Sequence, residues 1–187
     1  MAKFADRFNT KSDHLQNFNY STPGNYFITI CAINKNKFFG KIVNNEIVLS
    51  KMGIIANNCL IDISKHFANV CSDAFVVMPN HVHILLRVET PYMASLQDNR
   101  QITLVNYSHK NHPDYFPRIS QKSKQLIPKI VQQYKSAVTK LINPKTVFFA
   151  WQPRYHDIIV KDEFQLIKIK NYIITNPANW QKDKFYN

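Results

Sequence analysis

Phe75-Val-Val-Met-Pro-Asn-His-Val-His-Ile-Leu-Leu86 holds two apolar runs broken once, at Pro79-Asn80. Each run is short and rich in β-branched residues, and Pro-Asn is turn chemistry, so the spacing predicts strands over 73–78 and 81–88. Successive side chains of a strand alternate between its faces. His81 and His83 therefore converge on one face, and Val82 packs behind them. Two imidazoles held on one rigid strand suit a metal, and a catalytic site would need a further ligand and an open position. By itself the His-x-His pattern is weak, because buried or surface histidines produce it by chance.

Outward from this hairpin the chain alternates element types. Residues 25–33 are aromatic and β-branched and read as a strand. Gly40 and Asn44-Asn45 punctuate a hairpin over 38–49. Ser50 can cap a helix whose Met52, Ile55, Cys59, Ile63 and Phe67 recur at i+3/i+4 spacing. Downstream, 90–124 is polar and without period, an insertion loop. A second helix is expected over 126–142, with Ile127, Ile130, Tyr134, Val138 and Leu141 on one face, followed by strands at 147–150 and 155–160. Asp162 then caps a third helix, with Gln165 as its capping-box partner, and Asn176-Pro177 ends it. This order predicts an α+β, ferredoxin-like or RRM-like sandwich: helices packed on a mostly antiparallel sheet. One domain over 1–187 is expected, with a polar arm at 1–22.

Charge supplies the next constraint. The 24 Lys and Arg against 12 Asp and Glu leave +12, and 13 basic against 4 acidic residues place +9 of it in 118–187. A polyanion is the natural partner, since each neutralised phosphate releases counterions. No apolar run reaches the roughly 18–20 residues that span a bilayer, so no membrane partner is expected. Three scattered cysteines make neither a disulfide framework nor a zinc site, and a cytoplasmic protein is expected.

On the third helix Lys168, Tyr172 and Asn176 line up at i+4 spacing. A phenol one turn before a carboxamide suits a metal-assisted nucleophile, with Lys168 adding positive potential. The amide oxygen of Asn176 suits Mg²⁺ or Mn²⁺. Lys122, Lys124, Lys129, Lys135, Lys140 and Lys145 form a candidate phosphate-binding stripe, and Tyr134 and Phe148 are candidate base-stacking aromatics. Against each stands a plainer reading: lysines on a solvent face, a tyrosine that merely packs.

Met78-Pro-Asn-His-Val-His83, Trp151-Gln-Pro-Arg154 and Tyr172-Ile-Ile-Thr-Asn-Pro177, in that order, resemble the HUH single-tyrosine transposases, and within them the REP-associated tyrosine transposase branch. The similarity runs over roughly 25–180. It implies a metal-dependent enzyme that nicks and rejoins hairpin-bearing single-stranded DNA through a covalent 5′-phosphotyrosine. It makes His81, His83 and Asn176 the metal ligands and Tyr172 the nucleophile. Trp151, Gln152 and Arg154 match a segment that positions the site or the DNA, joining Lys168, Lys135 and Lys140 as candidate DNA contacts. Tyr134, on the preceding helix, is the alternative nucleophile, although the residue four beyond it is Val138. A relaxase or replication-initiator nuclease, an inactive DNA-binding module and a water-using metal hydrolase are the competing readings. The hydrolase would need a carboxylate beside the metal, and the nearest acids in sequence are Asp73 and Glu89. Monomer and homodimer both remain open.

Overall fold

A computed structural model describes residues 18–90, 125–142 and 148–186. Its elements are β1 (Gly24–Cys31), β2 (Gly40–Val43), β3 (Glu46–Leu49), α1 (Lys51–Ile61), α2 (Ile63–His66), β4 (Val70–Val77), β5 (His81–Val88), α3 (Leu126–Ile142), β6 (His156–Val160) and α4 (Glu163–Thr175). A 3-10 segment, Pro177–Lys182, follows. The main sheet runs β4-β5-β1-β6 with every neighbour antiparallel, and β2-β3 is a separate hairpin. Helices on this sheet make the α+β sandwich that the element order predicts.

Alternation in the strands assigns the two faces. Tyr26, Ile28 and Ile30 of β1 and Val82, Ile84 and Leu86 of β5 pack with α1 and α3 on one side. Phe27 of β1, Val76 of β4 and Leu85 of β5 point the other way, onto Leu166, Ile169 and Ile173 of α4. Both faces are therefore dry, which explains why β5 reads as an almost unbroken apolar run. His81 and His83 share the parity of Leu85, so they lie on the α4 side.

Local chemistry fixes the element ends. Ser50 caps α1, its hydroxyl accepting from the Gly53 amide and donating to the Phe38 carbonyl. The single helix expected through Phe67 breaks at Asp62, whose ψ of −10° departs from the helical ladder, and its carboxylate pairs with Lys65 instead. Asp162 caps α4 through the Gln165 amide. The buried stripe of α4 is Leu166, Ile169 and Ile173, and Ile167 and Ile174 are exposed. Of the strand expected at 147–150, residue 147 lies outside the described residues and 148–150 join no sheet. β6 takes the place beside β1, leaving an isolated bridge between Ala32 and Trp151. The expected arm lies outside the described residues up to position 17, while Tyr20 is buried and donates to Asp157. The expected loop at 90–124 lies outside them beyond Thr90, as do Lys122, Lys124 and Lys145.

Candidate active site

The β4–β5 turn delivers the two imidazoles, and each is oriented from behind. Asn80 is fully buried, and its Nδ2 donates to the Phe185 carbonyl at 2.9 Å, which can only accept. The amide is therefore turned so that Oδ1 faces His81 Nδ1 at 2.7 Å. An amide oxygen accepts, so Nδ1 of His81 carries the proton and Nε2 presents a lone pair. That lone pair meets His83 Nε2 at 2.9 Å. On the far side of His83, Nδ1 lies 2.8 Å from the Thr29 hydroxyl, which can donate or accept. Were a cation held here, Thr29 would accept from Nδ1 and His83 Nε2 would offer its lone pair; otherwise Thr29 donates to Nδ1 and the His83 Nε2–H donates a hydrogen bond to His81 Nε2. Burial, then the neighbouring His83, lowers the His81 pKa well below the usual imidazole value, which keeps it in the neutral form that binds metals.

From α4 come Tyr172 and Asn176, and from beyond the 3-10 segment comes Asp183. The Tyr172 hydroxyl lies 3.3 Å from His83 Nε2 and donates to Asp183 Oδ2 at 2.5 Å. Asn176 donates from Nδ2 to the same oxygen at 2.7 Å, and the Phe185 amide donates to Asp183 Oδ1 at 2.6 Å. Asn176 Oδ1 is thereby turned away from the carboxylate and is buried without a partner among the described residues. An orphaned buried acceptor costs about 1–3 kcal/mol, and a cation would satisfy it. One ligand atom from each of His81, His83 and Asp183 lies within 4.8 Å of the others. These residues can hold a metal ion, and the donor set of two imidazole nitrogens with carboxylate and amide oxygens fits a divalent one.

Burial would raise the Asp183 pKa, but the neighbouring His83 and His81 and the hydrogen bond from Tyr172 outweigh it and hold the carboxyl below its usual range. The Tyr172 phenol is pushed the opposite way, first by burial and then by the Asp183 charge and hydrogen bond. The pair at rest is thus a phenol donating a hydrogen bond to a carboxylate, and a cation beside the phenol would lower its pKa toward ionisation.

Sequence reasoning missed Asp183. It follows Tyr172 by 11 positions, past the proline that ends α4, and no periodicity signals that the tail folds back. The two acids that sequence proximity singles out lie at the other end of β5. Asp73 is held by Arg87 and Lys170, and Glu89 by Arg87. His156, which pairs opposite Thr29 and stacks on Phe185 at 5.5 Å, also belongs to this face.

The other candidate residues are spread more widely. Tyr134 is buried among the α1–α3 core, on the opposite face of the sheet from the histidines, and donates to the Ala56 carbonyl. Trp151 packs on that same core and donates to the Lys135 carbonyl. The Lys135 ammonium is bound to the carbonyls of Gln152 and Arg154 at 2.7 and 3.1 Å. Lys168 sits over the exposed Phe164 ring at 3.7 Å. Arg154 and Lys140 are exposed, and so is Phe148.

Access is closed in this conformation. His81 and His83 are 0% and 1% exposed. The Phe185 ring lies 4.9 Å from the His81 ring and 5.9 Å from that of His83, and Trp180 flanks His81 at 5.9 Å.

No family model matches the chain. An uncharacterized protein of Haemophilus influenzae Rd is 31% identical over 177 residues, spanning 94% of this chain and 92% of its own length. Among solved structures, a REP-associated tyrosine transposase bound to a REP hairpin superposes with a TM-score of 0.55. That match covers 92% of this chain and 76% of the other at 14% identity, a likeness of fold.

Proposed function

We propose, for a chain that belongs to one family with the uncharacterized Haemophilus influenzae protein, a metal-dependent DNA strand transferase that nicks and rejoins hairpin-bearing single strands through Tyr172. The observation that carries this reading is the Tyr172 hydroxyl, set 3.3 Å from a metal-competent imidazole and 2.5 Å from a carboxylate. The transposase-like fold and the excess of basic charge support it.

His81, His83 and Asn176 would hold Mg²⁺ or Mn²⁺, with Asp183 as a further oxygen donor within reach. Such an ion would polarise the scissile phosphate and withdraw its developing charge. The residues themselves do the rest. Asn80 and Thr29 fix the two rings, Asp183 takes the phenol proton, and Tyr172 Oη attacks phosphorus. The P–O3′ bond breaks, the leaving oxygen takes up a proton to become a 3′-OH, and the 5′-phosphate stays on the tyrosine. Attack by a 3′-OH reverses the step without an external energy source, because the phosphodiester bond is conserved as a phosphotyrosine. Of the candidate DNA contacts, Arg154 and Lys140 present exposed charge, Lys168 and Phe164 share one exposed face, and Trp151, Gln152 and Lys135 act by shaping the 151–154 segment.

Labelled hairpin-bearing single strands incubated with protein and Mg²⁺ or Mn²⁺ test this on a denaturing gel. The expected result is a covalent adduct that is lost in Tyr172→Phe, in His81→Ala and with chelator. Asp183 also favours a second reading, the metal hydrolase, since it provides the carboxylate that chemistry requires. Cleavage without any adduct would establish that alternative.

A further inference from the structure

Next to the metal-competent residues lies a concavity, between the β2–β3 hairpin and the 3-10 segment, with a volume of about 440 Å³. That is within the roughly 300–1,000 Å³ of small-ligand sites. Its charge has one sign: Lys37, Lys41 and Lys182 line it, and no carboxylate does among the described residues. Its neutral hydrogen-bonding groups are the carboxamides of Asn45, Asn179 and Gln181 and the Tyr186 hydroxyl. Asn44 and Asn45 form the hairpin turn with φ of 49° and 64°. Glycine satisfies such a turn with less strain, and Asn45 places an amide in the cleft instead. One wall is aromatic. Tyr186 is 45% exposed and packs edge-on against Trp180 at 5.2 Å between centroids. Trp180 in turn flanks the His81 ring. Pro79 and Pro177 complete the boundary, each adjoining a site residue, Asn80 and Asn176.

We infer that this cleft binds the single-stranded DNA segment next to the scissile phosphate. The inference rests on the proposed function and adds the subsite that holds the strand. Positive charge without carboxylates takes the backbone, the Tyr186 ring, over which the Lys37 ammonium sits at 5.7 Å, takes a base by stacking, and carboxamides bond base edges, the combination found in single-strand sites. Trp180 lines the cleft and flanks the His81 ring at 5.9 Å, so a strand in the cleft lies next to the metal histidines. The apolar cores on either face of the sheet offer no comparable polar wall.

Fluorescence anisotropy with a labelled twelve-residue oligo-dT tests the cleft in a Tyr172→Phe background, where no adduct can form. Lys37→Glu/Lys41→Glu is expected to weaken binding about tenfold or more and to flatten the slope of log affinity against log salt by about 1.4, at roughly 0.7 per single-strand contact. Tyr186→Ala is expected to weaken it about fivefold or more without changing that slope, because stacking releases no counterions. Lys65→Glu/Lys161→Glu, an equal charge change elsewhere, sets the reference. Cleft variants indistinguishable from that reference, or a loss shared equally by duplex DNA, would overturn the inference. The adduct assay separates the two claims. Adduct formation with reference-level binding in the cleft variants sinks the cleft alone, while cleft-dependent binding with no adduct in the wild type sinks the proposed chemistry alone.

Discussion

At the residue scale the most consequential side chain outside the metal-competent set is Asn80. Its two amide ends face a carbonyl and an imidazole, so one rotation sets the tautomer of His81. Partners of this kind typically contribute 10–100-fold to metal affinity. Asn80→Ala is accordingly expected to weaken Mn²⁺ binding by about that factor in calorimetry. Asn80→Asp, which keeps the acceptor at His81 Nδ1, is expected to recover part of it. Equal affinities in the wild type and both variants would contradict the orienting role. A sequence reveals such a site where the geometry is local. His81 and His83 are legible because strand parity needs only neighbours. Asn176 is legible because it lies one helical turn from Tyr172. Asp183 is not legible, since its position depends on where the tail after Pro177 turns back, and Asp73 and Glu89 are nearer in sequence yet occupied by Arg87 and Lys170.

At the element scale, α3 shows why a lysine stripe needs a structure before roles are assigned. Lys135 and Lys140 are one and a half turns apart, and sequence gives both to phosphate. In the fold Lys135 ties α3 to the 152–154 backbone, and Trp151 donates back to its carbonyl. Burial pulls the Lys135 ammonium down to about 8, so this side chain spends solvation to hold the segment. Lys135→Ala is expected to lower unfolding free energy by about 1.5–3 kcal/mol, the scale of bonds to a charged donor. Lys140→Ala, at an exposed position, is expected to stay within about 0.5 kcal/mol of wild type. It is expected instead to reduce the salt slope of single-strand binding by about 0.7. Chemical denaturation and salt-dependent anisotropy on the two variants check both, and the opposite assignment of effects would refute this division. β5 and α3 keep the bounds that their apolar patterns predict, β5 as a run buried on both faces and α3 as one regular buried stripe. The helix after Ser50 and the strand at 147–150 do not, because Asp62 and the β1–β6 pairing are decided by tertiary context.

At the scale of the molecule, the sheet carries two functions on two faces. One face is an apolar core with α1 and α3, where Tyr134 is spent on packing. The other gathers imidazoles, phenol, carboxamide and carboxylate under α4 and the tail. Site residues from β1, β5, α4 and the tail meet there, so folding the sandwich and assembling the site are one event. The site is also shut: the histidines are sealed and the Phe185 ring closes their outer side. A phosphate can reach them only if something moves, and the tail is the outermost layer. Phe185→Ala keeps the backbone amide that binds Asp183 and removes the ring. It is expected to raise the rate of adduct formation severalfold at subsaturating DNA, with some loss of thermal stability from the emptied volume. An unchanged or slower rate in a folded variant would show that DNA enters by another side.

The central claim is that Tyr172 becomes covalently bonded to DNA. The most direct measurement is mass spectrometry of protein trapped with a cleavable single-stranded hairpin, digested with nuclease and protease. The expected result is a 5′-nucleotide phosphate on the peptide carrying Tyr172, absent when metal is withheld. A nucleotide on the Tyr134 peptide, or cleaved DNA with no modified peptide, would contradict it.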